Sequence, residues 1–154
     1  MQLFSLFEAN PQLIDLLVDI VGTSDHLAEY LARNAQVFDA VIGGSFWDAW
    51  PGSETLTQDL SKLLQTTEDY ETKLDMTRRW VKEWHFRIGV HLLRDLTSVE
   101  QTAQEYADLA EAALAALWPE ICAEFSRKYG PPPGRGAALI AMGSLGAQRL
   151  HSNS

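Results

Sequence analysis

Apolar positions in the first two thirds of the chain recur at helical rather than strand spacing. Leu3, Phe4, Leu6 and Phe7 form a short apolar opening, and Asn10-Pro11 supplies a helix start. Asparagine accepts from free N–H groups at a cap, and proline suits the first helical position, where its missing N–H would have no partner. Leu13, Ile14, Leu16, Leu17, Ile20 and Val21 then predict an amphipathic helix that Gly22 ends. Thr23 and Ser24 cap the next helix, with Asp25 against its positive end and Leu27, Tyr30 and Leu31 on its apolar face. Val37, Phe38, Val41 and Ile42 predict one more short helical turn, closed by Gly43-Gly44.

The pattern changes at residues 45–53, where Phe46, Trp47 and Trp50 sit among Gly, Pro and Asp. Such aromatics can hold a ligand or pack the loop onto the bundle, and packing is the expectation. A helix over 55–65 carries Leu56, Leu60, Leu63 and Leu64. A long helix over 70–96 follows, about 40 Å in length, with Leu74, Val81, Trp84, Ile88 and Leu92 as its expected buried stripe. Thr97 with Glu100, or Ser98 with Gln101, matches a capping box ahead of the last long helix. Its expected inner face is Val99, Ala103, Tyr106, Ala110, Leu114, Leu117 and Ile121. Pro119 is expected to kink or split it, because proline cannot donate to the preceding turn, and Gly130 suits its C-terminal cap.

Pro131-Pro132-Pro133-Gly134 is a stiff linker and the clearest boundary in the chain. Beyond it Ala137, Ala138, Leu139, Ile140, Ala141 and Met142 read as a short buried strand, and Gly143-Ser144-Leu145-Gly146 as a turn. The fold class is therefore mostly α: about five or six helices over 1–130, a linker at 131–136, and one strand and turn in 137–154.

Composition adds little to this outline. Hydrophobic residues make up 46% of the 154 and charged residues 21%, enough to build a core of ordinary globular type. The formal net charge of -9 repels phosphate backbones and anionic lipid, so nucleic-acid binding is not expected. The one cysteine, Cys122, lies in an apolar helical stretch and is read as a small hydrophobe rather than a nucleophile. No charged leader precedes the opening apolar residues and no uncharged run reaches the ~20 residues of a membrane helix, so a cytoplasmic protein is expected.

Four other groups of residues attract attention. His85 and His91 are six apart on one helix, a poor spacing for a shared metal, and are expected to pack or face solvent. Arg78, Arg79, Arg87 and Arg94 suit carboxylates or phosphates, and intrachain pairing or solvation is their expected use. His151 is expected to be exposed. The apolar run into Gly143-Ser144 is half of a phosphate-handling device: glycine lets backbone N–H groups approach a nucleotide's phosphates. The other half, an acidic pair that holds magnesium, has no counterpart, because no Asp or Glu follows Ser144.

Several strings together give that turn a context. The run from Gly143 to Ser154 resembles the start of the catalytic motif of bacterial glutamine synthetase adenylyltransferases, where it continues into Asp-Leu-Asp-Leu. Leu27-Ala28-Glu29-Tyr30-Leu31-Ala32-Arg33-Asn34, Val37-Phe38-Asp39-Ala40-Val41-Ile42-Gly43-Gly44 and Trp84-His85-Phe86-Arg87-Ile88-Gly89-Val90-His91 resemble the helical region ahead of the family's second catalytic domain. So do Leu3 to Pro11, Arg79-Trp80, Tyr106 to Glu111 and Gly130 to Gly136, and together the strings span essentially the whole chain. The resemblance implies a multifunctional nucleotidyltransferase of the polymerase-β type. Such an enzyme adds AMP from ATP to a tyrosine of glutamine synthetase in one domain and removes it by phosphorolysis in another. It implies ATP and magnesium as cofactors, and glutamine synthetase and the PII signal protein as partners. It makes Gly143, Ser144 and Gly146 the nucleotide-phosphate turn and assigns no catalytic residue and no metal ligand. The chain is then expected to hold the first strand and turn of that domain without its metal pair, and to be inactive alone. The alternative is a non-catalytic helical docking or regulatory module.

Overall fold

A computed structural model describes residues 12–34, 37, 41, 44–134 and 137–152. The helices are α1 (Gln12–Thr23), α2 (Asp25–Arg33), α3 (Gly52–Leu64), α4 (Tyr70–Leu93), α5 (Val99–Tyr129) and the one-turn α6 (Gly143–Gly146), with a 3-10 turn at Ser45–Trp47. The chain is mostly α, as its periodicity predicts. The opening residues Leu3 to Phe7, the Asn10-Pro11 start, and Phe38, Ile42 and Gly43 lie outside the described residues. Two compact units are formed, one from Met1–Ala49 with Phe86–Ser98, the other from Trp50–His85 with Val99–Ser154.

In the first unit Leu13, Leu16 and Ile20 of α1, Leu27 and Leu31 of α2, and Phe86 and Val90 of α4 form one core with Val37, Val41 and Phe46. Burial of each such side chain stabilises by roughly 1.5–3 kcal/mol. Gly22 does not stop α1, which runs one residue further to Thr23. Ser24 is extended, and its Oγ accepts the Leu27 N–H at 3.3 Å, the cap expected of it. Gly89 has a packing reason: a Cβ there would lie 2.9 Å from Leu27 Cδ2, so α4 meets the Leu27 side chain of α2 with no room for a methyl group unless that side chain shifts.

In the second unit α3 packs along α5. Leu56, Leu60 and Leu64, at i, i+4 and i+8, are fully buried. The α5 face that is buried runs through Thr102, Glu105, Tyr106, Leu109, Ala112 and Ala116. Ala103 and Tyr106 are as expected, but Val99, Leu114 and Ile121 are exposed. The inner face is alanine-rich, and small residues let helix axes approach while larger ones fall outside the seam. α5 is continuous through Pro119, so the proline does not split it. Proline deprives Ala115 of its helical donor, and both residues are exposed, so water can serve that carbonyl.

Asp69 starts α4 by accepting the Thr72 N–H at 2.8 Å and its hydroxyl at 2.5 Å, bonds that hold the carboxyl below its usual pKa. The buried face of α4 in this unit is Lys73, Thr77 and Trp80, whereas Leu74, Val81 and Trp84 of the expected stripe are half-buried. A polar pair explains the shift: Lys73 Nζ lies 2.5 Å from Glu120 Oε2 of α5. α4 ends at Leu93, where the Asp95 N–H bonds Leu92 O at 3.1 Å and the Leu96 N–H bonds His91 O at 2.9 Å. These two hydrogen bonds make a Schellman motif, with Asp95 at φ 54° where glycine is usual. Gly130, at φ 83°, closes α5 as predicted.

Candidate functional site

The segment after the linker does not form the expected buried strand. Residues 137–142 are exposed and make no ladder among the described residues. Leu139 is 56% exposed, Ile140 83% and Met142 80%. An extended backbone becomes a strand only when a neighbour takes its N–H and C=O groups, and no described element does.

Met142 is extended (φ -130°, ψ 169°) and leads into α6. Gly143 sits at φ 62°, a region that disfavours side chains, and Gly146 is needed for space: a Cβ there would lie 2.7 Å from the Ala141 carbonyl oxygen. The turn is closed by the Ala147 N–H to Gly143 O at 2.9 Å and the Arg149 N–H to Ser144 O at 2.8 Å. The first N–H groups of a helix have no internal acceptor, and no described residue bonds those of Gly143, Ser144 and Leu145. Gly143, Ser144 and Gly146 are all exposed. The structure thus brings the three predicted residues into one exposed turn, in which the Gly146 N–H is taken by Met142 O at 3.3 Å and those of Gly143, Ser144 and Leu145 have no acceptor among the described residues.

α5 seats this turn. The Leu150 N–H donates to Ala103 O at 3.1 Å. An apolar groove of about 540 Å³ lies between Leu114 and Trp118 of α5 and Leu139, Ile140 and Leu145 of the tail, with Glu111 and Gln148 as polar members. A second cleft, about 550 Å³, is bounded by Glu100 and Gln104 of α5 and by Gln148, Arg149 and His151.

The other candidates are used in packing. His91 Nε2 lies 2.7 Å from Phe46 O, and its ring stacks on Trp47 with centroids 5.7 Å apart. Burial lowers its pKa. The His85 ring lies 4.6 Å from that of Tyr106, whose hydroxyl is pushed up to about 12 by burial and by Glu105. Arg78 pairs with Asp75 at 2.6 Å and Arg94 with Asp19, while Arg87 donates to Asp48 O at 2.6 Å and Arg79 to Asp75 O at 3.5 Å. The aromatic loop packs: Trp50 Nε1 donates to Asp108 at 2.9 Å and meets Trp84 edge-on, and Trp47 Nε1 donates to Val41 O at 3.2 Å. Cys122 is half-buried on α5. Among the described residues no cluster of His, Cys, Asp and Glu is placed to hold a metal ion, and no helix is long and apolar enough to cross a membrane.

Sequence reading missed the Lys73–Glu120 pair and the buried Glu105, to which Gln101 donates at 3.2 Å. The available sign was Lys73 and Thr77 at i and i+4 on one face with Trp80 at i+7, on a helix whose expected apolar stripe lay beside it.

These features define an α-helical module that presents an exposed glycine–serine turn on an extended lead. A family model for glutamate-ammonia ligase adenylyltransferase matches residues 14–154, and the chain belongs to that family. It is 35% identical over 99% of its length to the bifunctional glutamine synthetase adenylyltransferase/adenylyl-removing enzyme of Brucella suis biovar 1. It is 33% identical, over the same share, to the proteins of that name from Xanthobacter autotrophicus and Agrobacterium fabrum. The chain spans 16% of the length of each of these relatives. No solved structure matches the chain.

Proposed function

We propose that the chain belongs to an enzyme that transfers AMP from ATP to a tyrosine of glutamine synthetase. Residues 1–130 would be its helical lead, 131–136 a linker, and 137–154 the start of the nucleotidyltransferase domain, where 137–142, without a ladder among the described residues, would pair as the first strand ahead of the turn. The carrying observation is that the family match runs through the Gly143–Gly146 turn to residue 154. The amides of Gly143, Ser144 and Leu145, without an acceptor among the described residues, support the phosphate role, because exposed backbone N–H groups suit phosphate oxygens. Gly143, Ser144 and Gly146 would hold and orient the nucleotide phosphates, and the Leu150–Ala103 bond would keep the turn against α5.

Magnesium, which in such chemistry offsets charge on the phosphates, does not fit the described residues, since none of their side chains are clustered as ligands. On this reading the chain's own work is binding and positioning, and alone it is expected to transfer no AMP. In the enzyme the partners are glutamine synthetase and the PII signal protein, in the cytoplasm.

The experiment uses a chain of the relatives' length, with labelled ATP and glutamine synthetase. Gly143→Val should cut label transfer about tenfold or more, because a side chain at this φ displaces the amides. Transfer at the wild-type rate would remove the phosphate role from this turn.

A further inference from the structure

Leu114, Trp118, Ile121, Phe125 and Tyr129 fall at steps of four, three, four and four along α5 and so share one face. A helix that ended a free-standing module would bury such a face or make it polar. Here Leu114 is 43% exposed, Ile121 38%, Phe125 45% and Tyr129 75%. The nearby charges are satisfied within the helix, since Arg127 and Lys128 pair with Glu124 at 2.8 and 3.0 Å. The stripe is thus apolar without a competing charge of its own to solvate.

The first turns of this same face are already in use. Leu114 and Trp118 line the groove with Leu139 and Ile140 of the tail, and Leu150 bonds the α5 backbone further up. The stripe therefore continues an interface that the C-terminal segment has begun. Leu139, Ile140 and Met142 of the tail are exposed as well, and large apolar side chains exposed together mark an interaction surface. The relatives carry much more polypeptide than this chain, which spans 16% of them.

We propose that the Leu114–Tyr129 stripe is the docking face for the body of the nucleotidyltransferase domain, so that α5 is a wall of that domain rather than part of a separate helical module. The proposal rests on the transferase reading above and adds the surface through which the lead and the domain are joined.

The test places a single thiol on the stripe, as Phe125→Cys in a Cys122→Ala background. It is made in the 154-residue chain and in a chain of the relatives' length stripped of other cysteines. Maleimide labelling at position 125 should be at least about tenfold slower in the longer chain. Equal rates would overturn the proposal. So would self-association of the 154-residue chain that Phe125→Glu abolishes, with equal protection in both chains, since the occupant would then be a second copy. AMP transfer to glutamine synthetase by the longer chain is scored separately. Protection without transfer leaves the docking face and removes the transferase reading, whereas transfer without protection does the reverse.

Discussion

Removing one partner of the Lys73–Glu120 pair should destabilise the second unit far more than removing both. Lys73 Nζ lies 2.5 Å from Glu120 Oε2, with side chains 11% and 23% exposed. Exposed pairs contribute ~0–1 kcal/mol, whereas leaving one fully buried charge unpaired costs ~3–5 kcal/mol. The pair sits between those limits and nearer the second. Glu120→Gln leaves the more buried ammonium without its carboxylate, and a cost of about 2–3 kcal/mol is expected. Lys73→Met leaves the carboxylate, which can turn towards water, and should cost about 1–2 kcal/mol. In Lys73→Met with Glu120→Leu no charge is stranded, and stability should return to within about 1 kcal/mol of wild type. Urea unfolding of the four proteins, followed by tryptophan fluorescence, measures the cycle. Additive losses, or a Glu120→Gln loss below about 0.5 kcal/mol, would show that the pair is solvated and does not set the buried face of α4.

Gly89→Ala should destabilise by about 1–3 kcal/mol despite alanine's better helix propensity, because its Cβ would lie 2.9 Å from Leu27 Cδ2; in a Leu27→Ala background, itself less stable, the added cost of Gly89→Ala in a thermal melt should largely vanish. His91 has a folded pKa below 6.5, so its contribution is complete above pH 6.5 and is lost as pH falls towards the folded value; the stability–pH slope below 6.5 should flatten in His91→Gln, as denaturant titrations at stepped pH would read. Asp95→Gly should stabilise by about 0.5–1 kcal/mol, since Asp95 is held at φ 54° by the α4 end, and an unchanged or lowered melting temperature would contradict that strain.

Local chemistry was the most legible part of the fold. Ser24 caps α2 and Gly130 caps α5, as those residue types at those positions require. The leucines at 56, 60 and 64 face the core because their spacing keeps them on one side of α3. Faces set by tertiary contact were less legible. In the middle of α5 every position from Leu109 to Pro119 except Glu111 is apolar, so periodicity does not choose between the Thr102–Ala116 seam and the Leu114–Tyr129 stripe; the close approach of α3 does. In α4 the Lys73–Glu120 pair brings a polar residue inward, which hydrophobicity alone cannot anticipate. The turn at Gly143 to Gly146 was readable because glycine there meets two backbone demands, a positive φ and a 2.7 Å approach. The run before it reads as a strand from composition, but a strand also needs a neighbour, and none lies among the described residues.

The proposed role is that the Gly143–Gly146 turn holds phosphate while the described residues offer no cluster of ligands for the metal that transfer requires. Incubating the purified 154-residue protein with glutamine synthetase, magnesium and α-labelled ATP tests it most directly. The account predicts no label on the synthetase above a protein-free control. Label on the synthetase that grows with the amount of chain added would contradict it.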